Sequence, residues 1–108
     1  MARGIAVVKE VVRVAYEVSG KVQGVFFRKC TQEKAKELDL WGWVMNTAHG
    51  TVVGEVGGPK EAVESMKNWL EKKGSPKSRI DGVKYSASTS TTLPYPFEIR
   101  RKRKSSRS

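Results

Sequence analysis

Histidine and cysteine are almost missing from this chain of 108 residues, which holds one of each, His49 and Cys30. A lone cysteine excludes an internal disulfide and any multi-cysteine metal site. A lone histidine excludes a His–His metal pair, so a structural zinc centre is not expected. No His–Asp pair, Cys–His pair or pair of carboxylates stands out for acid–base or nucleophilic work. No apolar run approaches the roughly 20 residues of a membrane span. The N-terminal MARGIAVVKEVV lacks the hydrophobic core and cleavage site of a signal peptide. A cytoplasmic location follows as the expectation. Acids are scarce too: 11 Asp and Glu face 21 Lys and Arg, a formal charge of +10. More than half of that excess comes from Arg100, Arg101, Lys102, Arg103, Lys104 and Arg107. Such a tail makes weak polyanion contacts or serves as an import address for the nucleus; the plain alternative is a solvated, disordered end.

What is present is a body able to fold. Hydrophobic residues make up 38% of the chain, enough for one domain with a modest core. The expected division is a flexible leader over 1–9, a folded domain over 10–100 and a basic, disordered tail over 101–108. Val12, Val14, Tyr16 and Val18 alternate with Arg13, Ala15, Glu17 and Ser19, the period of a half-buried strand. Phe27, Thr31, Ala35 and Leu38 then fall at helical spacing. Residues 41–46 and 51–56 read as a hairpin around the turn Thr47–Gly50. Gly57-Gly58-Pro59 is expected to break the second strand and start a helix. Ala62, Val63, Met66, Trp69 and Leu70 form that helix's apolar stripe, and Gly74 ends it. A weaker extended run covers 80–86. Phe97 and Ile99 mark a short last strand at a sheet edge, because Pro94 and Pro96 cannot donate to a ladder. The order predicts an α+β fold, a ferredoxin-like βαββαβ plait. Its antiparallel sheet of four to five strands carries both helices on one face.

Between the first strand and the first helix stands Gly20-Lys21-Val22-Gln23-Gly24-Val25-Phe26-Phe27-Arg28. Glycines let successive backbone N–H groups converge on one point. A helix N-terminus adds unpaired donors and the positive end of its dipole. Arg28 supplies a planar, permanently charged fork for phosphate oxygens. This is not a Walker A loop, which needs four residues between its glycines and then Lys-Ser/Thr. The spacing alone also fits an ordinary strand-to-helix turn with a surface arginine. Asn46, taken alone, fits a turn-former before Thr47. Cys30 reads as a small core residue and His49 as a solvated turn residue.

The segments GKVQGVFFRK, GWVMNTAHGTVVGEVGGP and WLEKKGSPKSRID resemble the acylphosphatases, close to the animal common type. Both family signatures stand unbroken, at Gly20–Arg28 and Gly42–Val52, and the resemblance runs from about Val12 to Ile99. It implies hydrolysis of the carboxyl–phosphate bond of acyl phosphates by a metal-independent enzyme without cofactor. It also implies that the loop amides of Lys21, Val22, Gln23, Gly24 and Val25, with Arg28, bind phosphate, and that Asn46 holds the attacking water. The chain departs from the family in its basic C-terminal extension.

Rival readings differ in class. An RNA-recognition module shares the plait but needs exposed aromatics on its two central strands. Residues 51–56 have none. A plait-type metal carrier wants paired cysteines near the first loop. A silent regulatory domain could keep the cradle without turnover. The expected partner is a small-molecule acyl phosphate, and nothing demands more than a monomer.

Overall fold

A computed structural model describes residues 10–88 and 92–101. The expected leader over 1–9 and, of the expected tail over 101–108, every residue but Arg101 lie outside the described residues. The elements in chain order are β1 (Val11–Lys21), α1 (Phe27–Glu37), β2 (Trp41–Asn46), β3 (Val52–Pro59), α2 (Lys60–Lys72), β4 (Arg79–Ala87) and β5 (Glu98–Arg100).

One sheet carries the strands in the order β4-β1-β3-β2-β5. The first four strands pair antiparallel, with Tyr16 opposite Gly54, Tyr85 opposite Tyr16 and Val44 opposite Gly54. This is the plait expected from the sequence. The fifth strand adds a parallel pairing: Trp43 faces Glu98 and Met45 faces Arg100. The direction follows from the connection. The chain leaves β4 at the end of the sheet where β2 begins, and Gly42 N–H donates to Pro94 O at 2.8 Å there. Entering at that end, β5 must run with β2. Both strands therefore finish at the end of the sheet where β1 feeds the first loop.

Alternation along the strands sorts the sheet into two faces. Tyr16, Val18, Val44, Val52 and Val56 are fully buried under the helices. Their partners on the helices are Phe27, Thr31 and Ala35 on α1 and Val63, Met66 and Leu70 on α2. The spacings i, i+4, i+8 and i, i+3, i+7 are those of one helical face. Phe27 and Trp69 join the two helices, ring centroids 5.7 Å apart. Thr31 can sit in this apolar layer because its hydroxyl donates to Phe27 O, one turn back, at 2.7 Å.

The parallel β5 corrects the expectation of an antiparallel sheet, and two further details differ from the sequence reading. The glycine pair does not break β3, which runs on to Pro59, with Gly58 opposite Val12 and Gly57 opposite Arg13. The glycines are there because Leu40 and Trp41 cross them: a Cβ on Gly58 would meet Leu40 Cδ2 at 2.5 Å, and one on Gly57 Trp41 Nε1 at 2.8 Å. Gly20, in turn, belongs to β1 rather than to the loop. It sits at a bulge against β4, with φ 125°, pressed on the Arg79 carbonyl.

Candidate active site

The chain leaves β1 at Lys21 and enters α1 at Phe27, so Val22–Phe26 form the connecting loop. Val22 and Val25 turn their side chains into the core. That anchoring leaves the backbone between them to face outward. Gly24 has φ 74° and Phe26 φ 59°, while Val25 between them keeps a negative φ. Residues that alternate in the sign of φ can turn successive N–H groups to one side, as in an anion nest. In the turns and loops among the described residues, none of the Val22–Phe26 N–H groups donates to a backbone carbonyl. The first N–H groups of α1 continue the same donor surface. A phenylalanine at positive φ is an uncommon and costly conformation, held here by core packing of its neighbours.

Gln23 ties the loop to the hairpin. Its Nε2 donates to Thr47 O at 3.0 Å and to Thr51 O at 2.8 Å. The hairpin is closed by Thr47 N–H to Thr51 O at 2.9 Å and by the Thr47 and Thr51 hydroxyls, 2.7 Å apart. The Thr51 hydroxyl donates in turn to Glu17 Oε2 on β1, also at 2.7 Å. Asn46, the last residue of β2, is thereby set in fixed register beside the loop.

A cavity of about 680 Å³ opens at this corner, lined by Val22, Gln23, Gly24, Arg28 and Asn46, and also by Phe26, Phe27, Lys29, Ile99 and Arg101. Arg28 and Asn46, widely separated in sequence, thus meet across one hollow. The Asn46 Oδ1 is buried and accepts no hydrogen bond from the described residues. Of the residues expected to bind phosphate, Lys21 is exposed at the end of β1 and Val25 sits in the core; neither lines the cavity. Their backbone remains part of the loop and its flank.

The cavity wall holds three cations, Arg28, Lys29 and Arg101, and no acid. The sequence reading missed Phe26, Lys29, Ile99 and Arg101. Lys29 was open to it as the neighbour of Arg28 in the first helical turn. Ile99 and Arg101 arrive through the parallel pairing of β5 with β2, for which the sequence gives no sign. Among the described residues no cluster of three or more His, Cys, Asp or Glu side chains could hold a metal ion.

The plait, a small α+β domain, thus brings the first loop, an arginine and a carboxamide to one hollow whose charged lining is basic. The acylphosphatase family model matches residues 14–99. Acylphosphatase-2 of Bos taurus is 53% identical over 89 residues, covering 81% of this chain and 90% of the relative. Acylphosphatase-2 of Gallus gallus is 58% identical over 73 residues, 68% of this chain and 71% of the relative. The structure of an acylphosphatase from Coxiella burnetii superposes with a TM-score of 0.77 at 34% identity, covering 83% of this chain and 93% of the other. The chain belongs to the acylphosphatase family.

Proposed function

We propose that this acylphosphatase cleaves acyl phosphates with the phosphoryl group seated on the Val22–Phe26 loop and Arg28, and with water aimed by Asn46. Hydrolysis of the carboxyl–phosphate bond is the activity of the family to which the chain belongs. The observation that carries the residue assignment is the shared cavity of loop, Arg28 and Asn46; beside it, the buried Asn46 Oδ1 has no hydrogen-bond partner among the described residues.

The chemistry asks for little else. The leaving carboxylate has a conjugate-acid pKa of about 4 to 5, so it departs without a general acid. Phosphoryl transfer passes through a loose, metaphosphate-like transition state. Such a phosphorus needs a correctly placed water more than a deprotonated one. The Asn46 carboxamide hydrogen-bonds to that water and orients it; a carboxamide is no base. Water oxygen bonds to phosphorus, the bridging P–O bond breaks, and the electron pair leaves on the carboxylate. The water's proton passes to a phosphate oxygen or to solvent. Loop N–H groups, the α1 N-terminus and Arg28 stabilise the charge on the three equatorial oxygens.

Loss of one such donor typically costs 10²- to 10³-fold in rate. Arg28→Ala and Asn46→Ala are expected to lose at least that much kcat on benzoyl phosphate, with Arg28→Ala also weakening inhibition by inorganic phosphate. Near wild-type turnover by either folded variant would remove it from the mechanism. The wild-type protein is expected to prefer benzoyl phosphate strongly over p-nitrophenyl phosphate, whose poorer leaving group this site does not protonate, and to work in excess EDTA. Among the described residues no helix is long and apolar enough to cross a membrane. We take the enzyme to act as a cytoplasmic monomer, with weak polyanion contact through the basic residues from Arg101 onward. A salt-dependent gel shift that persists after removal of those residues would contradict that contact.

A further inference from the structure

We infer that Arg101 selects acyl phosphates whose acyl group carries a second anionic group at its far end, with Phe26 and Ile99 holding the carbon body between the two charges. The inference rests on the phosphoryl seat proposed above. It begins with register. β5 pairs with β2 so that Ile99 lies beside Val44 and Arg100 beside Met45. The next residue, Arg101, therefore comes level with Asn46. Strand alternation turns Ile99 and Arg101 toward the cavity and sends Glu98 and Arg100 to the opposite face, and the cavity wall holds Ile99 and Arg101 accordingly.

The two neighbouring arginines are placed differently. Arg100 is engaged: its Nε donates to Glu98 Oε2 at 2.6 Å and its guanidinium lies over the Trp43 ring, 4.7 Å from the centroid. Arg101 is exposed and forms no ion pair with a described residue. Charge counting then matters. A phosphoryl group brings at most two negative charges, and loop amides with Arg28 already answer them. Lys29 and Arg101 leave the acid-free wall with a surplus that a phosphoryl group alone does not match. A second carboxylate or phosphate on the acyl group would match it.

Space and surface agree. The cavity of about 680 Å³ falls within the roughly 300–1,000 Å³ typical of small-molecule sites, far more than a phosphoryl group fills. Phe26 is 77% exposed and held at its lip by the left-handed backbone of the nest. With Ile99 it offers an apolar strip on which a carbon chain or ring can rest.

The test compares 3- and 4-carboxybenzoyl phosphate with 4-methylbenzoyl phosphate, near-isosteric substrates that differ in a distal charge. In the wild-type protein at least one carboxylated substrate is expected to show a several-fold higher kcat/KM, and that preference should shrink in 0.5 M salt. Arg101→Gln should lower the carboxylated-to-methyl ratio about fivefold, as befits an exposed ion pair worth up to about 1 kcal/mol. Arg101→Lys should retain most of the ratio. An equal fall of kcat/KM on all three substrates would mean that Arg101 serves the phosphoryl group, and would overturn the inference. An unchanged ratio would overturn it as well. The methyl substrate reports on the phosphoryl seat by itself: if it turns over and Arg28→Ala abolishes this, the seat stands whatever the ratio shows. Absence of turnover on all three substrates overturns both.

Discussion

At the scale of single residues, the division of labour we propose for the loop is between side chains that anchor and backbone that binds. Val22 and Val25 anchor it in the core, and Gln23 anchors it on the hairpin through Thr47 and Thr51. Gln23 also spans the two halves of the proposed mechanism, the phosphate loop and the strand end that carries Asn46. Gln23→Ala removes the side-chain donor from Thr47 O and one of the donors from Thr51 O, which keeps the Thr47 N–H, a loss of about 1–3 kcal/mol in stability, measurable by urea unfolding. Its kinetic effect should fall mainly on kcat: phosphate is still gripped, while the water is no longer held in line with it. Gln23→Glu should be no better, because a carboxylate would face the same two carbonyls. A Gln23→Ala variant that raised KM with kcat unchanged would place this side chain in substrate binding instead. Arg28 and Asn46 were legible in the sequence because both lie in unbroken motifs beside recognisable element ends. Arg101 was not, because nothing in a basic tail announces which of its arginines reaches a cavity.

At the scale of elements, the two helices and the hairpin could be read directly from apolar period and turn residues, since each buries one face against a single layer. The reading failed at contacts made by a distant segment. Gly57 and Gly58 read as a break because glycine is a poor strand former; in the fold they are places where Leu40 and Trp41 pass close to β3. Gly54 is the sharpest case. It lies in mid-strand under Tyr16, whose hydroxyl donates to Trp43 O at 3.0 Å. A Cβ at Gly54 would run into both the Trp43 carbonyl and the Tyr16 ring. The carbonyl belongs to the β2–β3 ladder and cannot move without opening it. Gly54→Ala is therefore expected to destabilise the protein by about 1–3 kcal/mol, the usual cost of overpacking, and to lower the midpoint of urea unfolding. An Ala variant as stable as wild type would show that β2 yields at this point.

At the scale of the whole molecule, the sheet buries a phenol where water cannot reach its ionised form. The Tyr16 hydroxyl is pushed well above its ordinary value, first by burial and then by the negative charge of Glu55. Tyr85 is raised as well, by partial burial and then by its hydrogen bond to Glu71. A raised folded-state value has a definite sign in linkage. Above pH 10 the unfolded chain releases the Tyr16 proton while the folded chain keeps it, so the unfolded state binds fewer protons and stability falls as pH rises. Below pH 10 the contribution of this group is flat. One pH unit past the ordinary tyrosine value corresponds to about 1.4 kcal/mol. Tyr16→Phe should cost about 1 kcal/mol at pH 8 through the lost hydrogen bond to Trp43. It should then lose about 1.4 kcal/mol less than wild type between pH 8 and pH 11. The lysines and Tyr85 titrate in both proteins and cancel in the difference. Urea unfolding of the two proteins at both pH values measures the double difference directly, and parallel alkaline losses would mean that the Tyr16 hydroxyl is open to solvent in the folded state.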